Sequence, residues 1–193
     1  MIRKATSADI DAIEASYNEL FRHEREHGST TQWIQGAYPT RATAEGGVKR
    51  GDMYVYYIGD ELAASMIVNS HQAAEYCEIP WLYPAGDDEV MVIHTLCVPP
   101  SMAGRGLGTL MVAFATGLAL GAGKRIMRLD TNVKNIPAQR LYQKLGYRLA
   151  GSHHALHEGA LDTELVYLEY LLWARKRGRR MTGDFARRCG AQN

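Results

Sequence analysis

Between Leu96 and Thr109 the chain passes from an apolar strand into an apolar-striped helix through Ala103-Gly104-Arg105-Gly106-Leu107-Gly108. Glycines in alternation let a backbone approach an anion without Cβ interference. The helix that follows, expected from about Leu107 to Leu120, aims the positive end of its dipole at the same spot. A pyrophosphate is the group such a turn would hold. A second block holds Asp130 at a strand end, then Asn135, Pro137, Ala138, Leu141-Tyr142 and Gly146-Tyr147. Asn135 suits a helix N-cap, with Pro137 in the first turn, where its missing N–H does no harm. Tyr142 shares a helical stripe with Ala138, Leu141 and Leu145, so the spacing allows either a core residue or a proton donor at a site.

Taken together, the two blocks, within residues 90 to 150, resemble the GNAT superfamily of N-acetyltransferases. The family's loop reads Gln/Arg-x-x-Gly-x-Gly/Ala. Gly106 and Gly108 match its two small positions, and Asn135, Ala138, Leu141-Tyr142 and Gly146-Tyr147 match the later block. Ala103 departs from it, standing where the family usually has Gln or Arg, which removes a side chain near the phosphates but no backbone donor. The resemblance implies acetyl-CoA as co-substrate, its pyrophosphate held along Ala103, Gly104, Arg105, Gly106, Leu107, Gly108 and Thr109. It also implies a backbone donor for the oxyanion along Leu96, Cys97 and Val98. Asn135 would contact the pantetheine arm while also capping its helix, and Tyr142 would give a proton to the departing thiolate.

Acetyl transfer to an amine needs the amine deprotonated, and an alkylammonium titrates near pH ~10, so a base or a water path is required. His94 lies on the strand entering the glycine turn, where some family members carry a carboxylate, and imidazole titrates close to neutrality. A structural histidine is the other reading of that position, and Glu75, Glu78 and Glu89 are further candidates. Cys97 reads as a small buried hydrophobe rather than an acetyl-accepting nucleophile. Trp33, Tyr38 and Trp81 are candidates for an aromatic acceptor wall, which attracts cations and buries apolar stems. His153, His154 and His157 lack a carboxylate or thiol at ligand spacing, so no metal is expected.

These residues must be positioned by one core, since 193 residues with 46% hydrophobic composition suit a single domain. Ile2 to Ala5 reads as a strand, and Thr6-x-x-Asp9 starts a helix whose apolar face is Ile10, Ile13, Tyr17, Leu20 and Phe21. A short helix and a loop fill 27–47. Strands follow at Met53 to Ile58, Leu62 to Asn69 and Val90 to Val98, the first two joined by Gly59-Asp60. Tyr76 to Asp88 has no clear period. Two strands, Arg148 to His153 and Leu165 to Leu172, finish the domain. The order predicts an α/β fold with a mixed, mostly antiparallel central sheet flanked by helices, over residues 1–172. Residues 173–193 form a basic extension, with Arg175, Lys176, Arg177, Arg179, Arg180, Arg187 and Arg188 against Asp184. A solvated tail explains it more simply than nucleic acid binding.

No apolar run is long enough for a membrane span and no signal-peptide pattern opens the chain, so a cytoplasmic protein is expected. Cys77, Cys97 and Cys189 suggest reduced thiols rather than a disulfide framework or a zinc site. A dinucleotide-binding unit fits less well, because Thr109 stands where that fingerprint needs Gly or Ala. No Gly-Lys-Ser/Thr occurs for a Walker loop. The expected function is therefore N-acetyl transfer to a small-molecule amine or a peptide, by direct transfer in a ternary complex. The alternative is a non-catalytic acyl-CoA-binding or interaction module of the same fold. A homodimer is left open.

Overall fold

The computed structural model describes residues 1–157 and 161–173. Seven strands form one sheet: β1 (Arg3–Lys4), β2 (Met53–Ile58), β3 (Glu61–Asn69), β4 (Val90–Cys97), β5 (Ile126–Asn132), β6 (Arg148–His157) and β7 (Leu161–Leu171). Their spatial order is β1-β2-β3-β4-β5-β7-β6. Every neighbouring pair is antiparallel except β4 and β5, which run parallel. The helices are α1 (Ile10–His27), α2 (Arg41–Arg50), α3 (Leu107–Gly121) and α4 (Ile136–Lys144). The expected mixed sheet, element order and helix flanks are all present. The last two strands are longer than the sequence pattern predicts. All but Trp173 of the basic 173–193 segment lies outside the described residues.

Strand alternation sorts the core into two sides. On β2, Met53 and Val55 turn toward α1 and α2, where Ile10, Ile13, Tyr17, Phe21 and Ala44 meet them. Tyr54 turns the other way, joining Met66, Val68 and Met91 of the sheet against Met111, Val112 and Ala115 of α3 and Tyr142 of α4. Burying a side chain such as Ile13 or Met111, both at 0% exposure, contributes about 1.5–3 kcal/mol. The start of α1 is set by a local device: Asp9 Oδ2 accepts from the Thr6 backbone N–H at 2.7 Å, while Arg3 forks onto the same carboxylate.

Beyond α1 and α2 no α-helix among the described residues covers the same face of the sheet. The irregular segment 70–89 covers it, with Tyr76, Ile79 and Ala85 packed on Val90, Val92, Ile126, Leu165 and Tyr167. Arg128 and Glu169, register partners on β5 and β7, are both fully buried beneath that segment. Arg128 Nη1 donates to Gln72 Oε1 at 2.6 Å and Nη2 to the Tyr83 carbonyl at 2.9 Å. Glu169 Oε1 accepts from the backbone N–H groups of Leu82 and Tyr83. The buried pair thus ties down a stretch that has too few backbone ladders of its own. Cys97 is a buried free thiol, whereas Cys77 is disulfide-bonded, which corrects the expectation of reduced thiols throughout; Cys189 lies outside the described residues.

Candidate active site

The site begins where two parallel strands part. β4 and β5 pair only from Val90 with Ile126 to Val92 with Arg128. Past that point they diverge, and Ile93, His94, Thr95 and Leu96 face Asp130, Thr131 and Asn132 across a cavity. A bulge in β4 helps to part them: β3 pairs Ile67 with His94 but next Ser65 with Cys97, so β4 carries one residue more than its partner. Thr95 absorbs the extra residue with φ at 48°, a left-handed backbone that costs a β-branched residue about 1–2 kcal/mol. A 2.6 Å hydrogen bond shared by Thr95 Oγ1 and Tyr38 Oη holds it there.

The remaining walls come from three directions. The connection from α1 to α2 contributes Thr31, Trp33 and Tyr38, α4 contributes Asn135, Ala138 and Tyr142, and β7 contributes Thr163 and Leu165. Trp33 and Tyr38 meet edge to face, with ring centres 6.0 Å apart. Their loop is ordered by Glu24 of α1, whose carboxylate accepts from Ser29 Oγ and from both the N–H and hydroxyl of Thr30 and Thr31, all within 2.8–3.0 Å. Burial raises the Glu24 pKa, but these donors outweigh it and leave the group below its ordinary value.

Six residues singled out in the sequence line this one cavity: His94, Leu96, Asn135, Tyr142, Trp33 and Tyr38. Asn135 also caps α4, its Oδ1 accepting from the Ala138 N–H at 3.3 Å. Burial, and then the charge of Asp130, pushes the Tyr142 hydroxyl well above an ordinary phenol, so it keeps its proton through the neutral range. Tyr76, another buried tyrosine, donates to Asp130 at 2.7 Å.

The glycine turn follows β4 in the chain and opens α3, and none of its residues lines the cavity. Gly104 and Gly106 adopt φ of 75° and 73° with open space where a Cβ would be, and Gly106 caps α3, whose first N–H groups have no helical acceptor. Gly108 has a neighbour as well. A Cβ there would lie 2.8 Å from Leu141 Cδ2, so this is also where α3 comes close to α4. Thr109 follows it on the first turn, and Arg105 and Ala103 are exposed in the turn itself. Val98 packs on Met102 and Leu107 below the turn.

Other singled-out residues lie elsewhere. Trp81 does not line the cavity; its ring lies under the Arg128 guanidinium at 4.0 Å, and its Nε1 donates to the Tyr76 carbonyl. The Cys97 side chain turns into the α1 core beside Ser16, and burial pushes its thiol up to about 12, so it is a poor nucleophile. Glu89 pairs with Arg125 at 3.0 Å away from the cavity, and neither Glu75 nor Glu78 lines it. Asp130 and Asn132 are polar cavity residues that the sequence reading did not assign. Their signal was the polar run Asp130-Thr131-Asn132 closing the otherwise apolar β5.

A mixed sheet that opens between two parallel strands, with a glycine turn and helix N-terminus following the first of them, defines the acyl-CoA-dependent transferase class of α/β fold. The acetyltransferase (GNAT) family model matches residues 10–147, and the chain belongs to that family. An uncharacterized N-acetyltransferase of Methanocaldococcus jannaschii, MJ1207, is 35% identical over 71 residues, 37% of this chain and 31% of its own. An uncharacterized N-acetyltransferase of Bacillus subtilis, YesJ, is 30% identical over 111 residues, 55% of this chain and 58% of its own. The chain therefore spans less than two thirds of either relative. Among solved structures, a GNAT-family acetyltransferase of Streptococcus agalactiae superposes with a TM-score of 0.75 at 23% identity, covering 91% of this chain and 96% of that one. The acetyltransferase yncA of Salmonella typhimurium, solved with its cofactor acetyl-CoA, superposes with a TM-score of 0.63 at 20% identity, covering 91% and 95%. Among the described residues no helix is long and apolar enough to cross a membrane.

Proposed function

We propose that the chain transfers an acetyl group from acetyl-CoA to a primary amine, directly, in a ternary complex. The observation that carries this reading is the gap between β4 and β5, with His94 on one side and Tyr142 on the other. The N–H groups from Ala103 to Thr109 hold the pyrophosphate, Asn135 meets the pantetheine arm, and a backbone N–H along Leu96 to Val98 stabilises the oxyanion. Trp33 and Tyr38 wall the acceptor. His94 takes the amine proton, the amine nitrogen bonds to the acetyl carbon, and the C–S bond breaks as Tyr142 protonates the leaving sulfur. Cys97 takes no part.

The buried Tyr142, which keeps its proton and faces His94 across the cavity, supports this reading over a non-catalytic acyl-CoA-binding module. The acceptor is a small-molecule amine or a peptide amine, and a cytoplasmic setting belongs to the same reading.

Two measurements test it. Acetyl-CoA at 100 times its Kd should stabilise the fold by about 2.7 kcal/mol, whereas NAD should give no shift. Coenzyme A release over a panel of amines, amino acids, aminoglycosides and peptides should find an acceptor. Binding without release across that panel would favour the module, and no shift with acetyl-CoA would overturn both. Retained activity in Cys97→Ser, with no acetyl-enzyme by mass spectrometry, is expected for direct transfer.

A further inference from the structure

This inference rests on His94 acting as the base. We propose that Asp52 and Asn69 hold His94 in the Nε2–H tautomer, so that Nδ1 is the nitrogen that receives the amine's proton.

Asn69, the last residue of β3, sets its Oδ1 3.1 Å from His94 Nε2. The two other partners of that amide decide which of its ends faces the ring. Its Oδ1 also receives the backbone N–H of His71 at 2.8 Å, a donor that only an acceptor can meet. Its Nδ2 donates to Asp52 Oδ2 at 2.9 Å, a carboxylate oxygen that only a donor can meet. Turning the amide over would set two donors together at His71 and two acceptors together at Asp52. The orientation is therefore locked, and His94 must bring a hydrogen to Nε2 in both of its charge states. A neutral imidazole has one N–H, so its lone pair falls on Nδ1.

Asp52 is itself fixed, because Arg50 Nε donates to the same Oδ2 at 2.9 Å. The chain from Arg50 through Asp52 and Asn69 to His94 thus orders a ring that forms part of two walls. One bounds the cavity with Tyr142, and the other bounds a cleft of about 660 Å³ that also includes Asp52, Asn69, Ser70 and His71. On this geometry the amine approaches from the cleft and its carbonyl target lies in the cavity. Its proton passes to Nδ1, the resulting imidazolium keeps the Asn69 bond, and the proton leaves to solvent after the product departs. Among the described residues, ionisable groups around the ring include His71, with ring centres 6.4 Å apart, Arg50 and Asp52 behind Asn69, Tyr38 bonded to the adjacent Thr95, and Asp130 across the cavity on β5.

The decisive measurement is ¹⁵N NMR of histidine-labelled full chain across pH, with the His94 signals assigned by their loss in His94→Gln. Nε2–H in the neutral ring is expected; Nδ1–H or an even mixture overturns the proposal. Asn69→Leu, similar in shape but without an acceptor, should lower kcat on the order of 10²-fold at unchanged acetyl-CoA affinity. It should also move the acid limb of kcat/KM to lower pH, because an acceptor that favours the imidazolium is gone. Asp52→Ala should act in the same direction and less strongly. If Asn69→Leu lowers only Tm and keeps the wild-type pH profile, Asn69 does not position His94. An acid limb that persists in His94→Gln overturns instead the assignment of His94 as base, and the tautomer measurement still judges the positioning.

Discussion

Gly108 in the first turn of α3 abuts Leu141 of α4, where a Cβ would come within 2.8 Å of Leu141 Cδ2. Leu141 is the chain neighbour of Tyr142, which lines the cavity. Gly108→Ala should overpack the helix pair and lower stability by about 1–3 kcal/mol. Turnover should fall with it. Adding Leu141→Ala should recover part of the stability, and an unchanged Tm in the single variant would show that the helices yield freely.

Tyr142→Phe keeps the ring and removes the hydroxyl. Turnover should fall by about 10² to 10⁴, with Tm and acetyl-CoA affinity close to wild type. The raised pKa adds a sign: the hydroxyl stays protonated through pH 9, so wild-type turnover should show no alkaline loss from this group up to that pH. Unchanged turnover in the Phe variant would return Tyr142 to a packing role.

Glu24 links acid stability to the acceptor wall. Burial raises its pKa, yet the hydrogen bonds from Thr31, Thr30 and Ser29 lower it further, for a net depression. A carboxylate with a depressed folded pKa contributes stability that is fully present above its unfolded value, about 4.3, and is lost as pH falls through the folded one. Glu24→Gln should therefore loosen the loop at neutral pH and flatten this part of the acid transition. The expected readouts are a several-fold higher acceptor KM, unchanged acetyl-CoA affinity and altered tryptophan fluorescence from Trp33.

Arg128 and Glu169 make the opposite kind of prediction, one of stability without chemistry. Arg128→Met leaves the Glu169 carboxylate buried without its guanidinium, at a cost of about 3–5 kcal/mol. Converting Glu169→Gln as well should restore much of that loss, because the remaining amide is uncharged. Urea unfolding of the single and double variants measures the coupling directly. Additive losses would mean the two side chains do not interact across the β5–β7 pair.

The sequence by itself determined the elements and much of the cavity. Apolar runs bounded by turn residues marked β2 to β4, the stripe Ile10, Ile13, Tyr17, Phe21 marked α1, and the Asn135-to-Tyr147 block marked α4 with its cap, because burial groups apolar residues along the chain. His94, Leu96, Asn135 and Tyr142 were legible through the resemblance of their two blocks to the GNAT family, while their spacing alone left core readings open. What only the tertiary structure decided are relations between distant segments. The parting of β4 from β5 depends on a bulge at Thr95 and on Tyr38, 57 positions away, reaching its hydroxyl. Trp81 looked like an acceptor wall by type, but it became the platform for Arg128, since a cation on β5 needed an aromatic face from segment 70–89. Gly108 has a conformational and a packing use that are identical in sequence and separate only when Leu141 is seen beside it. Asn69 and Asp52 carry no local signal, because their meaning lies in the order of partners around one amide, and that order exists only once β3 and β4 are side by side and the residues beyond α2 are folded against them.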